Sequence, residues 1–162
     1  MFDLKAKIHL RIIFLFNLIA LISAYFIEYV LGHQPCNLCL IERIPYGLGI
    51  ILISLMFIIK KNEVFFIVLL ILTFVFSFLI SLYHLGIEQS FFQESTVCGV
   101  KNFSDNISKE ELLNKLTEMT VSCKDVTFRI FGLSLTTINI VISILFIITL
   151  SKIYNKYEKN KK

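Results

Sequence analysis

Four cysteines and the residues around them carry most of the chemistry open to this chain. Cys36 and Cys39 form a C-x-x-C, while Cys98 and Cys123 lie far downstream. An even count in an oxidising compartment points to two disulfides, with three pairings on paper. A C-x-x-C also serves zinc sites and structural bridges. Zinc would want two such pairs or nearby histidines, and Cys98 and Cys123 lack that spacing. His33 and His84 could complete a ligand set, but the ligand spacing argues against it, and no metal is expected. If a helix starts near the motif, its unpaired N–H groups and positive end favour a thiolate there. Arg43 follows Cys39 by one helical turn on the same face. Its permanently charged guanidinium could hold an anion or polarise a carbonyl. The plainer alternative is an interfacial arginine reaching for headgroups and paired with Glu42.

These residues need elements to position them, and the composition says what kind. The chain has 162 residues, 56% hydrophobic and 17% charged, with a mean hydropathy of +0.77. That excludes a disordered chain, a collagen-like repeat and a small secreted disulfide knot. Four apolar stretches stand out, at about 12–31, 40–59, 64–84 and 133–151. A hydrocarbon core of about 30 Å takes roughly 20 helical residues, so each stretch can span. A soluble core could not face all four. The first stretch is too long for the roughly 7–15 apolar residues of a signal peptide and has no small-x-small site after it, so a retained anchor is expected.

The net charge of +4 sorts by membrane side rather than forming a nucleic-acid surface. Lys5, Lys7 and Arg11 precede the first stretch, Lys60 and Lys61 follow the second, and Lys152, Lys156, Lys159, Lys161 and Lys162 close the chain. The positive-inside rule then places both termini in the cytoplasm and the loops at about 32–39 and 85–132 outside, with all four cysteines. The expected fold is an all-α membrane protein, a four-helix transmembrane bundle forming one domain over 1–162. In the long outer loop, Ser108-Lys109-Glu110-Glu111 gives a capping box, and Leu112, Leu113, Leu116 and Met119 follow at helical spacing. A short amphipathic helix is predicted there, on the membrane surface or packed on a partner or the spans. Of the polar residues in the spans, Asn17 is expected to bond a neighbouring helix and Glu28 to reach for headgroups. His84 and Glu88 share a helix face near the membrane exit and could form one polar patch.

Pro35-Cys36-Asn37-Leu38-Cys39, followed by Glu42-Arg43, resembles the disulfide bond formation protein B (DsbB) family, as does Tyr83-His84-Leu85-Gly86-Ile87-Glu88. Four spans with a cysteine pair in each outer loop extend the likeness over nearly the whole chain; Cys98 and Cys123 are matched mainly by position. The resemblance implies a multi-pass enzyme of the bacterial cell inner membrane that reoxidises a DsbA-like periplasmic thioredoxin-fold protein and passes the electrons to a membrane quinone, ubiquinone or menaquinone. It implies that Cys98 forms the mixed disulfide with the partner and that Cys123 then exchanges with Cys36. Cys39 would be left as the thiolate facing quinone, with Arg43 beside it and His84 near by. Two rival readings are a vitamin K epoxide reductase-like quinone oxidoreductase, against which the Glu42-Arg43 pair argues, and a structural or assembly membrane protein with two inert disulfides.

Overall fold

The computed structural model describes residues 4–59, 62–93, 98, 122–124, 129–130 and 132–159. Helix α1 spans Leu4–Tyr29, α2 Asn37–Ile41, α3 Ile44–Ile59, α4 Glu63–Glu88 and α5 Leu135–Lys159. Two short strands precede α5: β1 (Arg129–Ile130) and β2 (Leu133–Ser134) pair antiparallel, Arg129 opposite Ser134. The turn between them contains Gly132, whose φ of +83° lies in the left-handed region that favours glycine. The amphipathic helix expected around Ser108–Met119 lies outside the described residues.

Among the described residues, four helical segments are long and apolar enough to cross a bilayer, α2 and α3 together making one of them. The fold is a four-helix transmembrane bundle. A 26-residue helix such as α1 is about 39 Å long at about 1.5 Å per residue, so its ends project beyond a hydrocarbon core of about 30 Å. This lets α1 carry Lys5 and Lys7, and α5 carry Lys156 and Lys159, in their terminal turns.

The distribution of polarity is that of a membrane protein. Ile12, Ile19, Phe65, Leu72 and Leu145 are exposed on the outside of the bundle, whereas Ser77, Ser81, Asn139 and Ser143 are buried within it. In lipid, apolar surface costs nothing outside, and polar groups gain by pairing inside. Helix α1 packs on α3, α3 on α4, and α4 most extensively on α5, while α1 and α5 touch little. The α4–α5 seam is hydrogen-bonded. Ser143 donates to Ser77 at 3.2 Å and the Asn139 amide to Ser81 at 2.7 Å, while Tyr46 of α3 donates to Asn139. At the end where α1 starts and α5 finishes, Leu10, Ile53, Leu70, Phe74, Phe146 and Ile153 belong to one apolar cluster. The rings of Phe74 and Phe146 meet edge to face, their centroids 4.9 Å apart.

Two details shape the other end. The chain leaves α1 through Gly32 at φ +74°. After α4 it folds back tightly, the N–H groups of Phe91 and Phe92 donating to the Gly86 carbonyl at 2.8 and 3.1 Å. Gly86 permits this, since a Cβ there would lie 2.3 Å from the Phe92 ring.

Candidate functional site

Cys36 is the N-cap of α2: its backbone is extended, and its Sγ accepts the N–H of Cys39 at 3.2 Å. The helix then breaks at Glu42 and Arg43, because Pro45 has no N–H to continue the ladder and is tolerated only in the first turn of α3. The Arg43 N–H bonds the Leu40 carbonyl three residues back, at 3.2 Å, which tightens the turn. The break sends two neighbouring charges to different helices. Glu42 turns to α4 and Arg43 to α1.

On the α4 side stands His84, 4% exposed. Its Nε2 is 3.6 Å from Cys36 Sγ, and its Nδ1 is 3.0 Å from Glu42 Oε1 and 3.2 Å from the Thr136 hydroxyl. Assigning the Nδ1 proton to the Glu42 carboxylate leaves Nε2 to face the sulfur. The polar patch expected between His84 and Glu88 is thus replaced by partners from other helices. The Cys36 thiol is lowered to about 5, chiefly by its hydrogen bond with Cys39 and then by His84, against burial, which pushes it up. The thiolate that the local geometry favours is Cys36, the first cysteine of the motif.

Cys98 and Cys123 are joined in a disulfide, with Cα atoms 5.5 Å apart. Both are buried, and with Cys36, Leu38 and Ile87 they make one cluster at the end of the bundle where α2 starts and α4 finishes. Cys36 and Cys39 are free thiols. Of the three pairings left open by sequence, the structure holds one bridge between the loop cysteines and a reduced C-x-x-C beside it.

On the α1 side, Arg43 forms an ion pair with Glu28 and lies over the Tyr25 ring, 5.1 Å from its centroid. Glu28 therefore does not reach for headgroups, and Arg43 is not paired with Glu42. The physical reason is the break before Pro45, which aims the two side chains apart. Because α1 and α5 diverge, a cavity of 330 Å³ opens between them, with Cys39, Glu42, Arg43 and Tyr46 in its wall beside apolar residues such as Phe16 and Ile138. Ligand pockets run from about 300 to 1,000 Å³, so one ring-sized group fits.

Residues 7–152 match the family model described as Disulfide bond formation protein DsbB. The chain belongs to the DsbB family. It is also similar to an uncharacterized protein of Rickettsia prowazekii (strain Madrid E), 31% identical over 148 residues that cover 90% of this chain and 86% of that protein. This DsbB-family chain is therefore a multi-pass membrane oxidoreductase of the disulfide-generating class.

The structure brings Cys36, Cys39, His84 and the Cys98–Cys123 bridge to one end of the DsbB bundle and sets Arg43 on the cavity wall. Sequence reasoning missed Glu42, Thr136 and Glu28 as partners in the site. Ser77, Ser81 and His84 recur at helical spacing in an otherwise apolar span, and that pattern was the available sign of a polar seam. Asn17 does not bond a neighbouring helix as expected: among the described residues its buried amide has no hydrogen-bond partner, and it packs beside Gly49.

Proposed function

We propose that this chain reoxidises a DsbA-like periplasmic dithiol oxidase and delivers the electron pair to a membrane quinone. One observation carries the reading: the C-x-x-C lies between the buried Cys98–Cys123 bridge, which shares a cluster with Cys36, and a cavity whose wall includes Cys39 and Arg43. The proposal includes the inner membrane as location, both termini in the cytoplasm and one integral-membrane domain.

The thiol chemistry balances in four exchanges. A partner thiolate attacks the Cys98 sulfur, breaking the Cys98–Cys123 bond and releasing Cys123 as thiolate; the partner's second thiolate then displaces Cys98 and leaves the partner oxidised. Next, Cys123 attacks Cys36 of an oxidised C-x-x-C and expels Cys39. Finally Cys98 attacks Cys123, re-forming the loop bridge and releasing Cys36. The product of these steps has a Cys98–Cys123 disulfide and free Cys36 and Cys39, the same thiol states as in the structure.

The cavity fits a quinone ring: it is largely apolar, of ring size, and has a thiol and a cation in its wall. When bound, a quinone supplies a sink for two electrons and two protons. Cys39 and Arg43 would hold it, with Tyr46 on the same wall. Arg43, kept in place by Glu28 and Tyr25, presents positive charge where negative charge develops. His84 Nε2 is placed to hold the proton that Cys36 gives up, while Glu42 keeps the ring oriented through Nδ1.

The test uses the purified chain, a reduced thioredoxin-fold partner and a quinone followed by its absorbance. One quinone should be reduced for every two partner thiols lost, and the reaction should vanish in Cys39→Ala. Partner oxidation at an unchanged rate without quinone would overturn the reading.

A further inference from the structure

We propose that, in the reduced state, Cys36 Sγ, Cys39 Sγ and His84 Nε2 form a three-ligand site for a thiophilic divalent cation, with zinc the best match. A ligand atom from each residue lies within 4.8 Å of the others. The site is more specific than this proximity. With Zn–S of about 2.3 Å and Zn–N of about 2.0–2.1 Å, a tetrahedral zinc sets its sulfur and nitrogen ligands about 3.6 Å apart. Cys36 Sγ and His84 Nε2 are separated by 3.6 Å. The nitrogen facing the sulfur is the one free to bind metal, because Nδ1 lies 3.0 Å from the Glu42 carboxylate. Such a carboxylate behind a liganding histidine fixes the ring and raises its basicity.

The remaining features also suit a cation. Two thiolates would neutralise its charge in a buried setting, where an unpaired ion is costly. Cys39 lines the cavity between α1 and α5, which gives the cation a way in and leaves room for a water as fourth ligand. The chain separates the ligands, His84 lying 48 residues from Cys36, and the fold brings them together. The consequence is mutual exclusion. Metal binding requires two thiolates, whereas a Cys36–Cys39 disulfide offers none, so zinc would hold the C-x-x-C reduced and stop turnover. This goes beyond the electron-transfer reading and does not need it, because the metal requires neither a partner protein nor a quinone.

The test titrates Co²⁺ into the tag-free, reduced full chain in lipid nanodiscs, with Zn²⁺ as competitor. One equivalent should bind, with a thiolate-to-cobalt charge-transfer band and the strong visible bands of tetrahedral cobalt, and Zn²⁺ should abolish both. A Cys98→Ala/Cys123→Ala double variant should keep the signal, which separates the site from the loop sulfurs. Oxidising the C-x-x-C should remove it, and Glu42→Gln should weaken binding about 10–100-fold. His84→Ala should lose the tetrahedral spectrum. The proposal fails if reduced protein gives no charge-transfer band. It also fails if affinity is unchanged in both Glu42→Gln and His84→Ala, or if oxidised and reduced chains bind alike. A normal metal titration with no quinone reduction would sink the electron-transfer reading alone.

Discussion

Cys36 and His84, 48 residues apart in the chain, meet at 3.6 Å where α2 starts and α4 ends. The contact joins a sulfur that already accepts the Cys39 N–H to a ring whose far nitrogen faces Glu42. A thiolate at Cys36 is thus stabilised from two sides, by its own helix turn and by another span.

The first prediction follows from that pair. The ordinary thiol value near 9.0 falls to about 5 at Cys36, so the thiolate persists as pH drops from 9 and is lost only on passing about 5. Far-ultraviolet thiolate absorbance of the reduced chain, with Cys36→Ala as blank, should titrate once in the acid range. His84→Ala should move the midpoint upward. A single midpoint near 9 would show that neither contact stabilises the anion.

The second concerns division of labour among the sulfurs. With Cys123→Ala, Cys98 has no bridging sulfur, so its thiolate should attack the disulfide of an oxidised thioredoxin-fold partner and free the partner's second thiol. With no loop thiol left to displace the partner, the mixed disulfide should accumulate and be trapped by alkylation. Non-reducing gels should show it in Cys123→Ala and not in Cys98→Ala. An adduct of equal yield without Cys98 would assign partner exchange to another cysteine.

What the chain disclosed in advance follows the range of the forces involved. The spans could be read because crossing a bilayer needs a long apolar run, a property of contiguous residues. The C-x-x-C and Arg43 could be read because they fall within eight contiguous residues. The partners of Glu42, Arg43 and Glu28 could not: the break before Pro45 decides which way each side chain turns, and the partners come from α1 and α4. His84 was placed near the site only by resemblance to a family motif, and its contact with Cys36 depends on how α4 packs. The 98–123 pairing likewise needed tertiary structure, because four cysteines permit three connectivities. Asn17 shows the limit from the other side. A polar residue in a span suggests a hydrogen bond, yet here it fills the space that a side chain at position 49 would take.

The third prediction is topological. Ala6 and Leu10 of α1 pack in the same cluster as Ile153 and Tyr157 of α5, so the start of α1 and the end of α5 meet at one end of the bundle. Lysines concentrate there, so by the positive-inside rule that end is expected to face the cytoplasm. Reporter fusions after Lys61 and after Lys162 should both read cytoplasm. A periplasmic signal from either would move the cysteines to the wrong side for the proposed function.

The fourth prediction tests the α1–α3 contact. A Cβ at Gly49 would lie 2.7 Å from Asn17 Nδ2 and 3.3 Å from Phe74 Cζ, and both side chains are fully buried. Gly49→Ala should therefore destabilise the bundle by about 1–3 kcal/mol, as overpacking does. Adding Asn17→Ala should recover part of the loss, because it removes the nearer clash and an unpaired amide. Unfolding in detergent would measure both, and additive losses in the double variant would refute the contact.

The last prediction concerns Arg43, whose charge is held by Glu28 of α1 and by the face of Tyr25 on the wall of the cavity. Removing a single preorganised donor at a site of developing charge costs about 2.7–4 kcal/mol, or about 10²–10³ in rate. Arg43→Ala should lower quinone reduction by that order while leaving membrane insertion and the Cys98–Cys123 bridge intact. Arg43→Lys should recover part of the rate, since the charge survives but the planar fork over Tyr25 does not. Glu28→Gln gives the converse check: the cation stays but loses its anchor, so the apparent affinity for quinone should fall more than the maximal rate. Steady-state reduction over a range of quinone concentrations reads all three. Mixed-disulfide formation in the Cys123→Ala background serves as the control, because partner exchange at Cys98 does not call on Arg43. An unchanged quinone dependence in Arg43→Ala would make the residue a helix anchor alone, and simultaneous loss of the mixed disulfide would trace the defect to folding.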